Sequence, residues 1–233
     1  MNLIRDKFSP DGRLLQLEHS LEAIQLGCTV IGICTNTCVV LAAEKRITSP
    51  LMVTKNVERI VKLDDHIGCG LSGVLADARR LVDRSRIECQ KHWLSYDESM
   101  PVESCTQFTS TLVMQSSDTD DTMNRPASVA LLFAGFDGDE PQLWHLDPSG
   151  TYTRYLGKAI GSNSAFAQKK LEEKYRFDMD VKDAIELCLI TLEQAMEEQL
   201  RGTNIELMFM TKDNKNYNKL SEDELKKLLG NAD

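Results

Sequence analysis

Cys28 is the side chain with the most chemistry open to it in this sequence. It follows Gly27, precedes Thr29 and opens an apolar run. A cysteine attacks as its thiolate, so it needs stabilised negative charge and a base to take its proton. The four histidines, His19, His66, His92 and His145, fall in different segments, and none is placed beside a Ser or Cys partner. The bland alternative for Cys28 is a small buried thiol at the start of a strand. Cys28, Cys34 and Cys38 together suggest a metal cluster, but they lack the short paired spacing of structural zinc sites. They sit in apolar runs and are expected to pack as core residues. Gly68-Cys69-Gly70 and Gly73 suggest a phosphate-cradling loop. No Gly-Lys-Ser/Thr follows, and close strand packing accounts for these glycines better. The charged runs Lys169–Lys174 and Glu222–Lys227 read as solvated helix faces.

The elements that must position these residues are legible from period and punctuation. Ser9-Pro10-Asp11-Gly12 is a turn, because Pro10 presets φ and Gly12 relieves strain. Leu14, Leu17, Leu21 and Ile24 then recur at helical spacing, which predicts a helix over 13–26 with Gly27 at its C-cap. Cys28–Thr35 and Val39–Glu44 are β-rich and flank Asn36-Thr37, a hairpin; Arg59–Leu63 and His66–Leu71 repeat the pattern across Asp64-Asp65. From Val74 to Trp93 the residues Val74, Ala78, Leu81, Val82, Ser85 and Cys89 share one helical face, and Val102–Gln115 is a second helix. Residues 116–126 are polar and read as a surface loop. Three strands follow at Ser128–Phe136, Gln142–Leu146 and Tyr152–Leu156, with turns at Asp137-Gly138 and Asp147-Pro148-Ser149-Gly150. Helices return at Ser164–Tyr175 and Val181–Gln199, and Asn204–Thr211 is a last long strand. Ser221 to Glu224 is a capping box, with Leu220 and Leu225 placed to staple a short final helix. This order implies two sheets face to face with helices outside both.

The bulk properties narrow the field. At 233 residues, without a Pro/Gly/Ser linker, the chain is expected to be a single domain over 1–233. A net charge of −9 argues against nucleic acid and against an anionic membrane surface as partners. No apolar run approaches the roughly 18–20 residues that span a bilayer, and Met1–Arg5 lacks the core of a secretory signal. Seven dispersed cysteines, an odd number, look like reduced intracellular thiols, which points to the cytoplasm and leaves the nucleus open.

The segment Phe8–Leu14, with Gln16-Leu17-Glu18, Ala23-Ile24 and Gly27, closely resembles the signature of proteasome alpha-type subunits. The resemblance continues through Glu44-Lys45-Arg46, Ser72-Gly73, Ala76-Asp77-Ala78-Arg79, Arg125-Pro126, Asp147–Gly150 and Ala159-Ile160-Gly161-Ser162. Each string is weak alone; their order and spacing over nearly the whole chain are specific. Ile47–Met52, His92-Trp93, Val102-Glu103-Ser104 and Thr203–Leu207 resemble one branch, the type 5 alpha subunits.

That resemblance implies an α+β fold, a four-layer αββα sandwich of two antiparallel sheets, shared with N-terminal-nucleophile hydrolases. It implies a noncatalytic role, without cofactor or metal, in the outer hetero-heptameric ring of the 20S core. The expected partners are other alpha subunits, beta subunits and the C-terminal tails of activators or regulatory particles. The activator-pocket positions match Arg59, Gly27 and Val74; the family usually has lysine where this chain has Arg59. Of the gate region, Pro10 and Gly12 keep the turn, while His19 replaces the usual helix tyrosine. The expected N-terminal tail and turn occupy 1–12. Only Met1–Lys7 precede Phe8 and no Tyr-Asp-Arg is present, so either the gate tail is short and degenerate or the sequence begins late.

The same resemblance carries the rival reading. Hydrolases of this fold expose a nucleophile by cleaving after a glycine, and Gly27-Cys28 stands at that place. Glu44 falls where the beta sisters keep a catalytic aspartate, and Arg59 falls near their lysine. Arginine stays protonated at working pH and is a poor proton acceptor. Residues 1–27 read as a folded helix with its own turn and cap, not a disposable propeptide.

Overall fold

The computed structural model describes residues 9, 11–49, 51–53, 57–115 and 126–230. Most of the expected tail, Pro10 included, and the expected loop over 116–126 apart from Pro126 lie outside them. The chain opens with helix α1 (Leu15–Gln25) and the strands β1 (Val30–Cys34), β2 (Cys38–Glu44), β3 (Ile60–Asp64) and β4 (Ile67–Gly73). Helices α2 (Leu75–Tyr96) and α3 (Val102–Gln115) follow, then strands β5 (Val129–Asp137), β6 (Glu140–Leu146), β7 (Tyr152–Arg154) and β8 (Gly157–Ile160). Helices α4 (Ser164–Lys174) and α5 (Val181–Met196), strands β9 (Ile205–Thr211) and β10 (Asn218–Lys219), and helix α6 (Glu222–Leu228) complete it.

Among the described residues ten strands form two antiparallel five-stranded sheets, ordered β10-β9-β2-β1-β8 and β3-β4-β5-β6-β7. Three apolar clusters define the layers. Ile31, Ile33, Val40 and Ala42 face α4 and α5 through Leu171, Ala184, Cys188 and Leu192. The alternate residues Val30, Val39, Leu41 and Ala43 face the second sheet through Ala130, Leu132, Ala134 and Leu143. That sheet turns Cys69, Leu71, Leu131 and Phe133 towards Ala78, Leu81, Val82 and Cys105 of α2 and α3. Strands buried on both faces therefore keep a period of two in which cluster they feed, although apolar residues occupy both faces. The result is the expected α+β four-layer sandwich.

Five of the six residues expected on the inner face of α2 are buried; Val74 is instead its N-cap and 39% exposed. The run expected as one strand over Tyr152–Leu156 is two elements. β7 ends at Arg154, the chain crosses between sheets at Tyr155 and Leu156, and β8 pairs with β1. The capping box at Ser221 and Glu224 is formed, and Leu220 and Leu225 lie in one cluster.

Candidate functional site

At the mouth between the sheets, four backbone segments meet: the end of α1, the start of β1, the β4–α2 junction and the turn after β8. Gly27 closes α1 by donating its N–H to the Ile24 carbonyl at 2.8 Å, and its own carbonyl accepts the Ser162 N–H at 3.0 Å. Its φ is not in the left-handed region, so it does not serve as the αL cap its sequence position suggested. It is glycine because of crowding: a Cβ there would lie 2.5 Å from the Gly73 nitrogen. Gly161 has φ +91°, and a Cβ on it would approach the Cys28 carbonyl oxygen to 2.1 Å. Ser72 Oγ fills the remaining gap, donating to that carbonyl at 2.8 Å.

This junction places Cys28 inside the protein, 2% exposed. Burial pushes its thiol above the ordinary range; Arg59 opposes that, Glu44 reinforces it, and Arg46 opposes it more weakly. Thr29 is fully buried and donates its hydroxyl to the Ser162 carbonyl at 2.6 Å. The Glu44 carboxylate accepts the Thr29 N–H at 3.0 Å on one oxygen and the Arg46 Nε–H at 3.0 Å on the other. Its acceptors are engaged in holding strand ends. The bond between Gly27 and Cys28 is continuous with α1, whose Ile24 is buried in the inter-sheet cluster with Val30. A thiol raised by burial, behind an occupied carboxylate, is poorly suited to attack.

The three pocket positions converge on this junction. Val74 follows Gly73, against which Gly27 packs, and Val74 N–H is held by the Ser128 carbonyl at 2.9 Å. The Arg59 carbonyl accepts the Leu71 N–H at 2.8 Å, which ties the start of β3 to the end of β4. The Arg59 side chain carries its charge to Cys28, and its Nε and Nη1 are buried with no hydrogen-bond partner among the described residues. An unpaired buried guanidinium is costly unless a ligand or neighbour supplies an acceptor. A separate cleft of about 760 Å³ opens on Glu44, Lys45, Arg46, Glu198 and Arg201, and Gly27, Arg59 and Val74 do not line it.

The gate-turn positions are not gathered in the same way. Gly12, at φ +76°, donates its N–H to the Ser9 carbonyl at 2.8 Å, and Arg13 N–H reaches Ser9 Oγ at 3.0 Å. His19 is exposed on α1. Pro10 lies outside the described residues.

Sequence reading missed Glu206. It lies on β9, is 4% exposed, and one carboxylate oxygen accepts both the Arg59 and the Ile60 N–H at 2.8 Å. The signal was present as a lone carboxylate inside Ile205–Met208, an otherwise apolar strand.

Comparison with known proteins agrees with this geometry. The sequence matches the proteasome subunit family over residues 24–210. It is 55% identical to proteasome subunit alpha type-5 of Drosophila melanogaster, across 90% of this chain and 88% of the relative. It is 48% identical to proteasome subunit alpha type-5 of Trypanosoma brucei brucei, across 86% and 82%. Identity to the probable proteasome subunit alpha type-5 of Schizosaccharomyces pombe is 46%, across 88% and 84%. With two stacked sheets between helical layers, and this similarity over most of its length, the chain belongs to the proteasome subunit family.

Proposed function

We propose that this chain is a noncatalytic alpha subunit of the 20S proteasome core that builds the outer heptameric ring with other alpha subunits and contacts the beta ring. In that ring it restricts substrate entry and receives the C-terminal tails of activators, as part of ubiquitin-dependent protein degradation in cytoplasm and nucleus. Peptide hydrolysis belongs to partner beta chains. The observation that carries this reading is α1 folded in continuity with Gly27-Cys28, which leaves the nucleophile position internal and its thiol raised.

Arg59, Gly27 and Val74 are assigned here to one half of an activator pocket. The unpaired Arg59 nitrogens support it, because a tail carboxylate would supply the missing acceptors. Pro10, Gly12 and His19 are assigned to the gate turn on the resemblance of the turn alone.

Native mass spectrometry of the endogenous complex, with this subunit ejected and weighed, tests the proposal. An ejected chain that retains residues 1–27, from a particle also holding beta subunits, is the expected result. A chain beginning at Cys28 would convert the reading to a cysteine-type N-terminal-nucleophile hydrolase.

A further inference from the structure

Glu206 is a buried charge with a divided set of partners. It lies on β9 opposite Ala43 of β2, and the period of the strand turns it, with Met208 and Met210, towards the space between the sheets. Ile205 and Leu207 face the opposite cluster. Across that space lies β3, the outermost strand of the second sheet. An edge strand leaves N–H groups without ladder partners, and burying them unpaired is costly. Glu206 Oε2 satisfies two of them, accepting the Arg59 and the Ile60 N–H at 2.8 Å each. The carboxylate is thus a staple from one sheet to the first residues of a strand in the other.

Its second oxygen faces cations. Lys219 Nζ lies 3.3 Å from Oε1 and also donates to the Ile60 carbonyl at 3.0 Å and to Glu58 Oε1 at 3.1 Å. Lys45 Nζ, on a side chain only 7% exposed, lies 3.9 Å from Oε1 and 3.9 Å from Glu222 Oε1 of α6. The nearest arginine in sequence to these amides, Arg59, gives the carboxylate its backbone N–H and not its guanidinium. Two lysines compensate the buried negative charge, and Arg59 Nε and Nη1 have no hydrogen-bond partner among the described residues.

We propose that Glu206 is a positioning residue for the carboxylate-binding pocket: it fixes the backbone of Arg59 from one oxygen while Lys45 and Lys219 neutralise the other, so the guanidinium stays available to a ligand. The inference rests on the assignment of Arg59 to an activator pocket. It gives the residues of β9 and β10 a part in ligand binding although none of them is expected to touch the ligand.

Core particles carrying variants of this chain test it, with a fluorescein-labelled heptapeptide copied from the C-terminus of a copurifying activator as the probe. The peptide is used with a free α-carboxylate and with a C-terminal amide, and the ratio of the two affinities is the readout. The free acid should bind the unmodified particle at least about tenfold more tightly, the size of one charge-assisted hydrogen bond. Arg59→Ala should remove that preference; if it persists, the pocket assignment falls and the role of Glu206 with it. Glu206→Ala should lower the preference severalfold while affinity for the amide peptide changes little, a split that general loosening of the subunit would not produce. A preference unchanged in Glu206→Ala overturns the proposal with the pocket intact. Lys219→Met decides the matter if Glu206→Ala blocks assembly: with one compensating cation gone, the carboxylate competes for Arg59 and the preference drops. Lys219→Arg should restore it, and a Lys219→Met particle with full preference also overturns the proposal.

Discussion

The environment of Cys28 disfavours its thiolate at every step from sequence to packing. The residue lies two positions before the apolar strand β1, the Gly27 and Gly161 contacts seal it, and burial then raises its thiol. Iodoacetamide at neutral pH should therefore leave Cys28 unmodified in the folded chain and alkylate it in denaturant; a native adduct on Cys28, located by peptide mass mapping, would refute the sealed junction. His145 gives the opposite kind of titration. Burial and, secondarily, Lys158 lower its imidazole to about 4 from an ordinary 6.5, against a weaker pull from Asp147. A folded value below the unfolded one means the unfolded chain binds the proton first. The stability conferred by neutral His145 is present above about pH 6.5 and is lost as pH falls towards 4, by about 3 kcal/mol in all. Melting temperatures across that window should fall more steeply for the natural chain than for His145→Gln, and parallel curves would exclude the effect. At this scale the sequence was a partial guide. It marked Gly27, Arg59 and Val74 as one group, and the structure brings their segments together; the reason for Gly27 was misread, because an αL cap and a close backbone approach both select glycine.

Elements with a local cause were legible, and those set by distant partners were not. Ser221 caps α6 because its hydroxyl accepts the Glu224 N–H and Glu224 answers at the Ser221 N–H, an arrangement written within four residues. Ser221→Ala should cost about 1 kcal/mol in urea unfolding, and no loss would show that α6 is held by Leu225 alone. The split between β7 and β8 had no such signature. Nothing within Tyr152–Leu156 marks a break, and the chain changes sheet because the Tyr155 N–H pairs with Leu143 of β6 while the Cys34 N–H of β1 donates to the Leu156 carbonyl. Those partners are far away in sequence, so period alone could not place the break. Glu206 belongs to the same class: its position was visible as an anomaly, but its purpose depends on an edge strand in the other sheet.

At the level of the whole molecule, α1 presents two unlike faces. One face of the helix belongs to the subunit itself: Ile24 is buried in the inter-sheet cluster, and Ser20 is buried with its hydroxyl 3.3 Å from Ser128 Oγ. The opposite face carries Leu15 and Leu26, 50% and 79% exposed, which lie eleven residues apart and so about three helical turns along one stripe. A leucine left in water forgoes roughly 1.5–3 kcal/mol that burial would supply. Two on one stripe, beside a buried opposite face, mark a surface built to be covered. The covering surface proposed here is a neighbouring alpha subunit, and the two faces make separable predictions. Leu15→Ser with Leu26→Ser should change the unfolding free energy of the isolated chain by no more than about 0.5 kcal/mol per site, since neither side chain is in its core. Native mass spectrometry of the doubly substituted chain, expressed with its ring partners, should find it outside the complex. Ile24→Ala should do the reverse in degree, costing about 2–5 kcal/mol of subunit stability through the cavity it opens between the sheets. Intact rings with the double substitution would show that α1 serves only its own subunit, and would move the assembly face elsewhere on the molecule.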